Sequence, residues 1–139
     1  MGYRADLAKQ LELHEGRRNR PYQDTEGHLT IGVGHNLDKP ISESVIELLL
    51  QEDIEEAESE LDRVLPEWAS FDVIRRRVLV DMMFNLGAPR FMSFNRFRRA
   101  LMLKDFDEAA KEMLLSKWAE QVGIRAERLS EMMRTGNDY

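Results

Sequence analysis

A chain of 139 residues, 42% hydrophobic and 33% charged, is long enough to bury roughly two-thirds of its unfolded surface as a single domain. Eight glycines and four prolines are too few for a collagen-like or low-complexity segment. The absence of cysteine excludes disulfide scaffolds, iron–sulfur clusters, cysteine nucleophiles and thiolate zinc sites, and His14, His28 and His35 form no His-Glu-x-x-His pair, so neither a metal nor another cofactor is expected.

Tyr3, Leu7, Ala8 and Leu11 share one face of a predicted helix over residues 3–15, which Gly16 should end. The following stretch, to Asn36, is too rich in glycine and turn formers for a helix. Tyr22, Leu29, Ile31 and Val33 fit short antiparallel strands reversing at Thr25-Glu26-Gly27. Beyond Pro40, Ile46, Leu50, Ile54, Ala57, Leu61 and Val64 recur at helical spacing, with Ser42 as cap, Ile41 and Ile46 as a hydrophobic staple, and Pro66 as terminator.

Asp72 should cap a helix carrying Ile74, Val78, Met82 and Met83, stopped by Gly87 and Pro89. A short helix is predicted over residues 94–103. Asp105-Phe106-Asp107-Glu108 has the spacing of a capping box before Ala109, Met113 and Leu114, and a last helix runs from Ile124 toward Met133. The expected fold is α+β and mainly α: one domain over 1–139, with a small sheet lobe (17–40), a connecting helix (42–65), and a helical lobe (70–135) joined by the N-terminal helix (3–15).

The net charge of −6 is unevenly spread. Residues 43–67 hold ten acids and one base, whereas residues 75–128 hold twelve bases and seven acids. The separation fits either steering of an anionic polymer or arginines on solvated faces. The bases come with no nucleic-acid-binding motif or aromatic stacking series, so a nucleic-acid partner is not expected. No run is apolar enough for an integral membrane segment, and residues 1–15 lack a signal-peptide core, so synthesis in the cytoplasm is expected.

Chemistry concentrates near the sheet. Glu15 precedes Gly16, and Asp24 follows nine residues later. A chain reversal between them would set two carboxyl groups across a cleft, the requirement for glycosidic cleavage by a proton donor and a second carboxylate. Acids flanking turns also serve as caps or solvated groups. Gly27, Gly32 and Gly34 permit close backbone approach, but no phosphate-binding sequence follows them, and Thr30 offers a hydroxyl on alternating strand geometry.

Glu15-Gly16 and the run DTEGHLTIGVGH, Asp24 to His35, closely resemble the phage-type lysozymes, the muramidase family of glycoside hydrolases typified by the T-even bacteriophages. The resemblance continues in order through Gln51-Glu52-Asp53, Asp72 to Arg76, Phe84-Asn85-Leu86-Gly87, Asp107 to Ala110, Ser116-Lys117-Trp118, Arg125 to Arg128 and Arg134-Thr135-Gly136. It implies hydrolysis of the β-1,4 bond between N-acetylmuramic acid and N-acetylglucosamine in peptidoglycan. Glu15 would be the general acid, and Asp24 and Thr30 would hold or activate water for an inverting attack.

The resemblance also pairs His35 with Asp53 structurally, places Arg125 near Glu15, and makes Gly34 and Asn85 cleft-supporting or substrate-binding. Trp118 is expected to pack the helical lobe, and His28 to be an exposed turn residue. Asn85 stands where the T-even pattern has glutamine, and only six residues separate His35 from Ser42, roughly twenty-five fewer than in that pattern. The implied setting is host lysis by a monomer made in the cytoplasm, reaching the periplasm or wall through a separate holin. A lytic transglycosylase and a non-catalytic peptidoglycan-binding protein are the alternatives.

Overall fold

The computed structural model describes residues 2–139. The chain divides into two compact units, Met1–Leu48 and Leu49–Tyr139. The mainly helical composition with one small sheet agrees with the expected fold class.

In the first unit, α1 (Tyr3–Glu15) ends at Gly16, whose φ of +80° takes the backbone out of the helix while its N–H still donates to Glu12 O. Strands β1 (Arg18–Gln23), β2 (Leu29–Gly32) and β3 (His35–Asn36) form an antiparallel sheet in sequence order. Tyr22 stands opposite Thr30, which in turn stands opposite Asn36, and an irregularity interrupts β1 between Arg18 and Tyr22. The expected apolar face of α1 buries no side chain. Tyr3, Leu7 and Leu11, each four residues apart, make a stripe narrower than the face a packed helix presents.

α2 (Glu43–Val64) begins in the first unit and continues into the second. Its 22 residues rise roughly 33 Å. Ser42 starts it by accepting the amides of Val45 and Ile46 at its carbonyl, with a long 3.4 Å contact from Val45 N to its hydroxyl. Leu65 ends the run, and Pro66 opens a 3₁₀ turn, Pro66–Ser70, where Trp68 donates its indole N–H to Asp62 at 2.7 Å.

The second unit holds the core. Five residues of α3 (Val73–Leu86) are buried: Val78, Leu79, Met82, Met83 and Leu86. They pack with Ala57 and Leu61 of α2 and with residues from α4 (Ala88–Met92), α5 (Asn95–Met102), α6 (Phe106–Leu114), α7 (Lys117–Val122) and α8 (Ile124–Thr135). Phe91 and Phe97 meet edge to face, as do Phe94 and Trp118. Each buried large apolar side chain contributes about 1.5–3 kcal/mol.

Two local expectations are refined. Pro89 does not simply terminate α3. It lies in the first turn of α4, where its missing N–H costs no helical bond. The Asp105 box closes on one side only: Asp105 accepts the Glu108 amide at 3.1 Å, but the Asp105 amide is already donated to Ala100 O at 2.9 Å. An additional helix, α7, is six residues long, too short to show a helical period, and Ser116 caps it by accepting the Ala119 amide.

Candidate active site

Glu15 is the last residue of α1, and its carboxyl group lies over Gly34. A Cβ added to Gly34 would stand 2.7 Å from Glu15 Oε2 and 2.9 Å from Cδ. Gly34 also has φ +63°, a conformation that side chains other than glycine resist. The backbone conformation therefore favours glycine, and any larger residue would displace the Glu15 carboxyl group.

Asp24 stands in the turn between β1 and β2. Its Oδ1 accepts the amide of Glu26 at 2.9 Å and of His28 at 2.8 Å, while its own amide donates to His28 O at 2.9 Å. The His28 amide above all, joined by the Glu26 amide and the nearby His28 ring, outweighs the opposing effect of desolvation and holds the carboxyl below the ordinary aspartate range. Asp24 is thus a fixed carboxylate, with its second oxygen unused by these bonds.

Thr30 is on β2 and only 3% exposed, because alternation turns it inward while Leu29 faces solvent. Its hydroxyl donates to His28 O at 2.9 Å. The bond commits the proton and leaves oxygen lone pairs to receive a donor. Asp24 is attached before β2 and Gly34, which seats Glu15, after it; the four residues of the strand span roughly 10 Å. Thr30 lies between these two ends.

The other predicted residues belong to different elements. His35 is on β3 opposite Ile31, whereas Asp53 is on α2, in the second unit, lining a hollow of about 620 Å³ with Glu56, Glu60, Arg63 and Met83. Asn85, near the end of α3, accepts the Trp118 indole N–H at 2.8 Å. Because indole only donates, this bond fixes Oδ1 toward Trp118 and leaves the Asn85 amide NH₂ outside it. Trp118 is itself buried, as its expected packing role requires.

Arg125 on α8 pairs with Asp81 on α3, its Nε and Nη2 lying 2.9 Å and 2.6 Å from Oδ1. No motif in the sequence marks Asp81. The available signal was a lone acid within the run Val78-Leu79-Val80-Asp81-Met82-Met83, where an unpaired charge would be costly. His28 is the other omission: its ring is half exposed, but its backbone serves both Asp24 and Thr30. Among the described residues no group of three or more His, Asp or Glu side chains is arranged to hold a metal ion, and no helix is long and apolar enough to cross a membrane.

Comparison with known proteins places these features in a family. The model for phage lysozyme matches residues 12–134. Similar proteins include a probable T4-type lysozyme 1 of Dictyostelium discoideum, 25% identical over 95% of both chains. An endolysin of Salmonella phage P22 is 33% identical over 78% of this chain and 79% of its own. The pre-baseplate central spike protein Gp5 of Enterobacteria phage T4 is 27% identical over 94% of this chain but only 28% of its own length. The alignment with the Dictyostelium protein has 162 positions, more than the 139 residues available here, so this chain carries internal deletions relative to that protein. Since the matched region contains Glu15, the Asp24 turn and Thr30 and spans most of the sequence, the chain belongs to the phage lysozyme family.

Proposed function

We propose that the protein is a muramidase that hydrolyses the β-1,4 bond between N-acetylmuramic acid and N-acetylglucosamine in bacterial peptidoglycan with inversion at the anomeric carbon. One observation carries the reading: a carboxyl group seated on Gly34, and a second carboxylate and a buried hydroxyl fastened by a shared backbone, all within one small unit. The family membership and relatives named T4-type lysozyme and endolysin support the substrate class.

In this mechanism Glu15 gives its proton to the leaving glycosidic oxygen as the bond to the anomeric carbon breaks. Asp24, kept ionised by the turn amides, accepts a proton from the attacking water, whose oxygen forms the new bond. Thr30 receives a hydrogen bond from that water through the lone pairs left by its own donation to His28 O. Inversion needs space for water between acid and base, with carboxyl groups roughly 6.5–9.5 Å apart rather than the roughly 5–5.5 Å of a retaining pair. Attachment at opposite ends of β2 favours the wider arrangement.

Digestion of purified peptidoglycan, followed by mass spectrometry and proton magnetic resonance before mutarotation, tests the reading. The α anomer should be the first reducing product. An initial β anomer would reject inversion, and a non-reducing anhydro product would establish the transglycosylase reaction. Binding without cleavage would leave a non-catalytic wall protein. We further read the protein as a monomer that causes host lysis after a separate holin opens the membrane; its lytic effect in cells should then require a permeabilising partner.

A further inference from the structure

Asp24 and Thr30 lean on the same residue. The His28 amide holds Asp24 Oδ1, and the His28 carbonyl receives both the Asp24 amide and the Thr30 hydroxyl. Displacement of this one peptide segment would therefore disturb both groups assigned to the attacking water. The His28 ring lies between two carboxylates: Nδ1 is 3.4 Å from Asp38 Oδ2, and Nε2 is 3.6 Å from Glu26 Oε2.

These contacts distinguish the two protonation states. A carboxylate only accepts, so a neutral imidazole can donate to one of Asp38 and Glu26 but not to both. The imidazolium carries a proton on each nitrogen and can face both acids. Asp24 is a third carboxylate near the ring and also feels its charge. Asp38 in turn is held by its amide, which donates to Asn36 Oδ1 at 2.8 Å at the end of β3. Asp38 thus sets an acceptor for the His28 ring at the end of the sheet.

We propose that His28 is a positioning residue for the water-activating pair, with its protonated ring clasped between Asp38 and Glu26 to hold the backbone that orients Asp24 and Thr30. The inference rests on the catalytic assignments made under Proposed function. It separates the pH response of positioning from that of proton donation by Glu15.

The test compares wild type, His28→Gln, Asp38→Asn, the double variant and Glu15→Gln on soluble peptidoglycan fragments. Rates are measured near pH 5 and pH 8.5, on either side of the range in which histidines commonly change charge. His28→Gln should lower kcat roughly two- to fivefold at the acid pH, the scale of an exposed ion pair, with KM and the unfolding midpoint little changed. At the alkaline pH it should approach wild type. The double variant should lose no more than His28→Gln alone.

Amide resonances of Glu26 and His28 should move between the two pH values in wild type and lose that response in His28→Gln, a readout independent of turnover. Equal kcat for wild type and His28→Gln at acid pH, or the same loss at both pH values, would overturn the proposal. Multiplying losses in the double variant would also overturn it. Activity retained by Glu15→Gln would instead reject the catalytic assignments beneath it; an inactive Glu15→Gln with a flat His28 response rejects the positioning role alone.

Discussion

Replacing Gly34 with alanine should damage activity far more than stability. Its positive φ costs a non-glycine residue about 1–2 kcal/mol, a modest fraction of the stability of a small domain. The added methyl, however, would stand 2.7 Å from Glu15 Oε2, so the acid must move. A displacement of about 1 Å can cost about 10²-fold in rate, and the same order is expected here. Gly32 supplies the matched control: it has φ +69°, but an added Cβ meets nothing within 4 Å. Gly32→Ala should show a similar backbone cost with most activity retained. Urea unfolding together with turnover of soluble peptidoglycan fragments separates the effects. Equal activity for the two folded variants would refute the steric role assigned to Gly34.

Glu15→Gln should keep the circular dichroism spectrum while reducing cleavage by about 10²- to 10⁴-fold; near-normal turnover would exclude Glu15 as the acid. The Asp24 carboxyl should titrate below the ordinary aspartate range, chiefly through the His28 amide. Its contribution to stability is then present above the unfolded pKa and lost as pH falls through the lower folded value, a sign that magnetic-resonance titration with acid unfolding can check. An Asp81–Arg125 double-mutant cycle should give a coupling of about 0.2–1 kcal/mol, because both side chains are substantially solvated. Trp118→Phe should destabilise the fold by about 1–3 kcal/mol through lost packing and the unmade bond to Asn85, measured as a lower urea midpoint.

Local sequence determined much of the secondary structure because its causes act over three or four residues. Gly16 and Gly87 end helices, while the Asp72 and Asp105 carboxylates accept early amides of α3 and α6. The periodic apolar residues of α3 likewise mark its core-facing side. Short elements escaped the same reading: α4 and α7 have five and six residues, too few to establish a helical period. The ordered motifs identified the family and its candidate catalytic residues, but spacing alone could not set Glu15 over Gly34 or choose the partner of Arg125.

Those relations depend on segments meeting in three dimensions. Trp118 fixes the orientation of Asn85 across thirty-three sequence positions, and Asp81 meets Arg125 across forty-four. At shorter range, His28 joins two candidate catalytic groups through its backbone, which residue type and hydropathy do not encode. Sequence established the available groups and many local helix boundaries. Tertiary structure decided which donors and acceptors met and that the Glu15 carboxyl lies against Gly34, because hydrogen bonding and steric exclusion depend on atomic positions as well as residue identity.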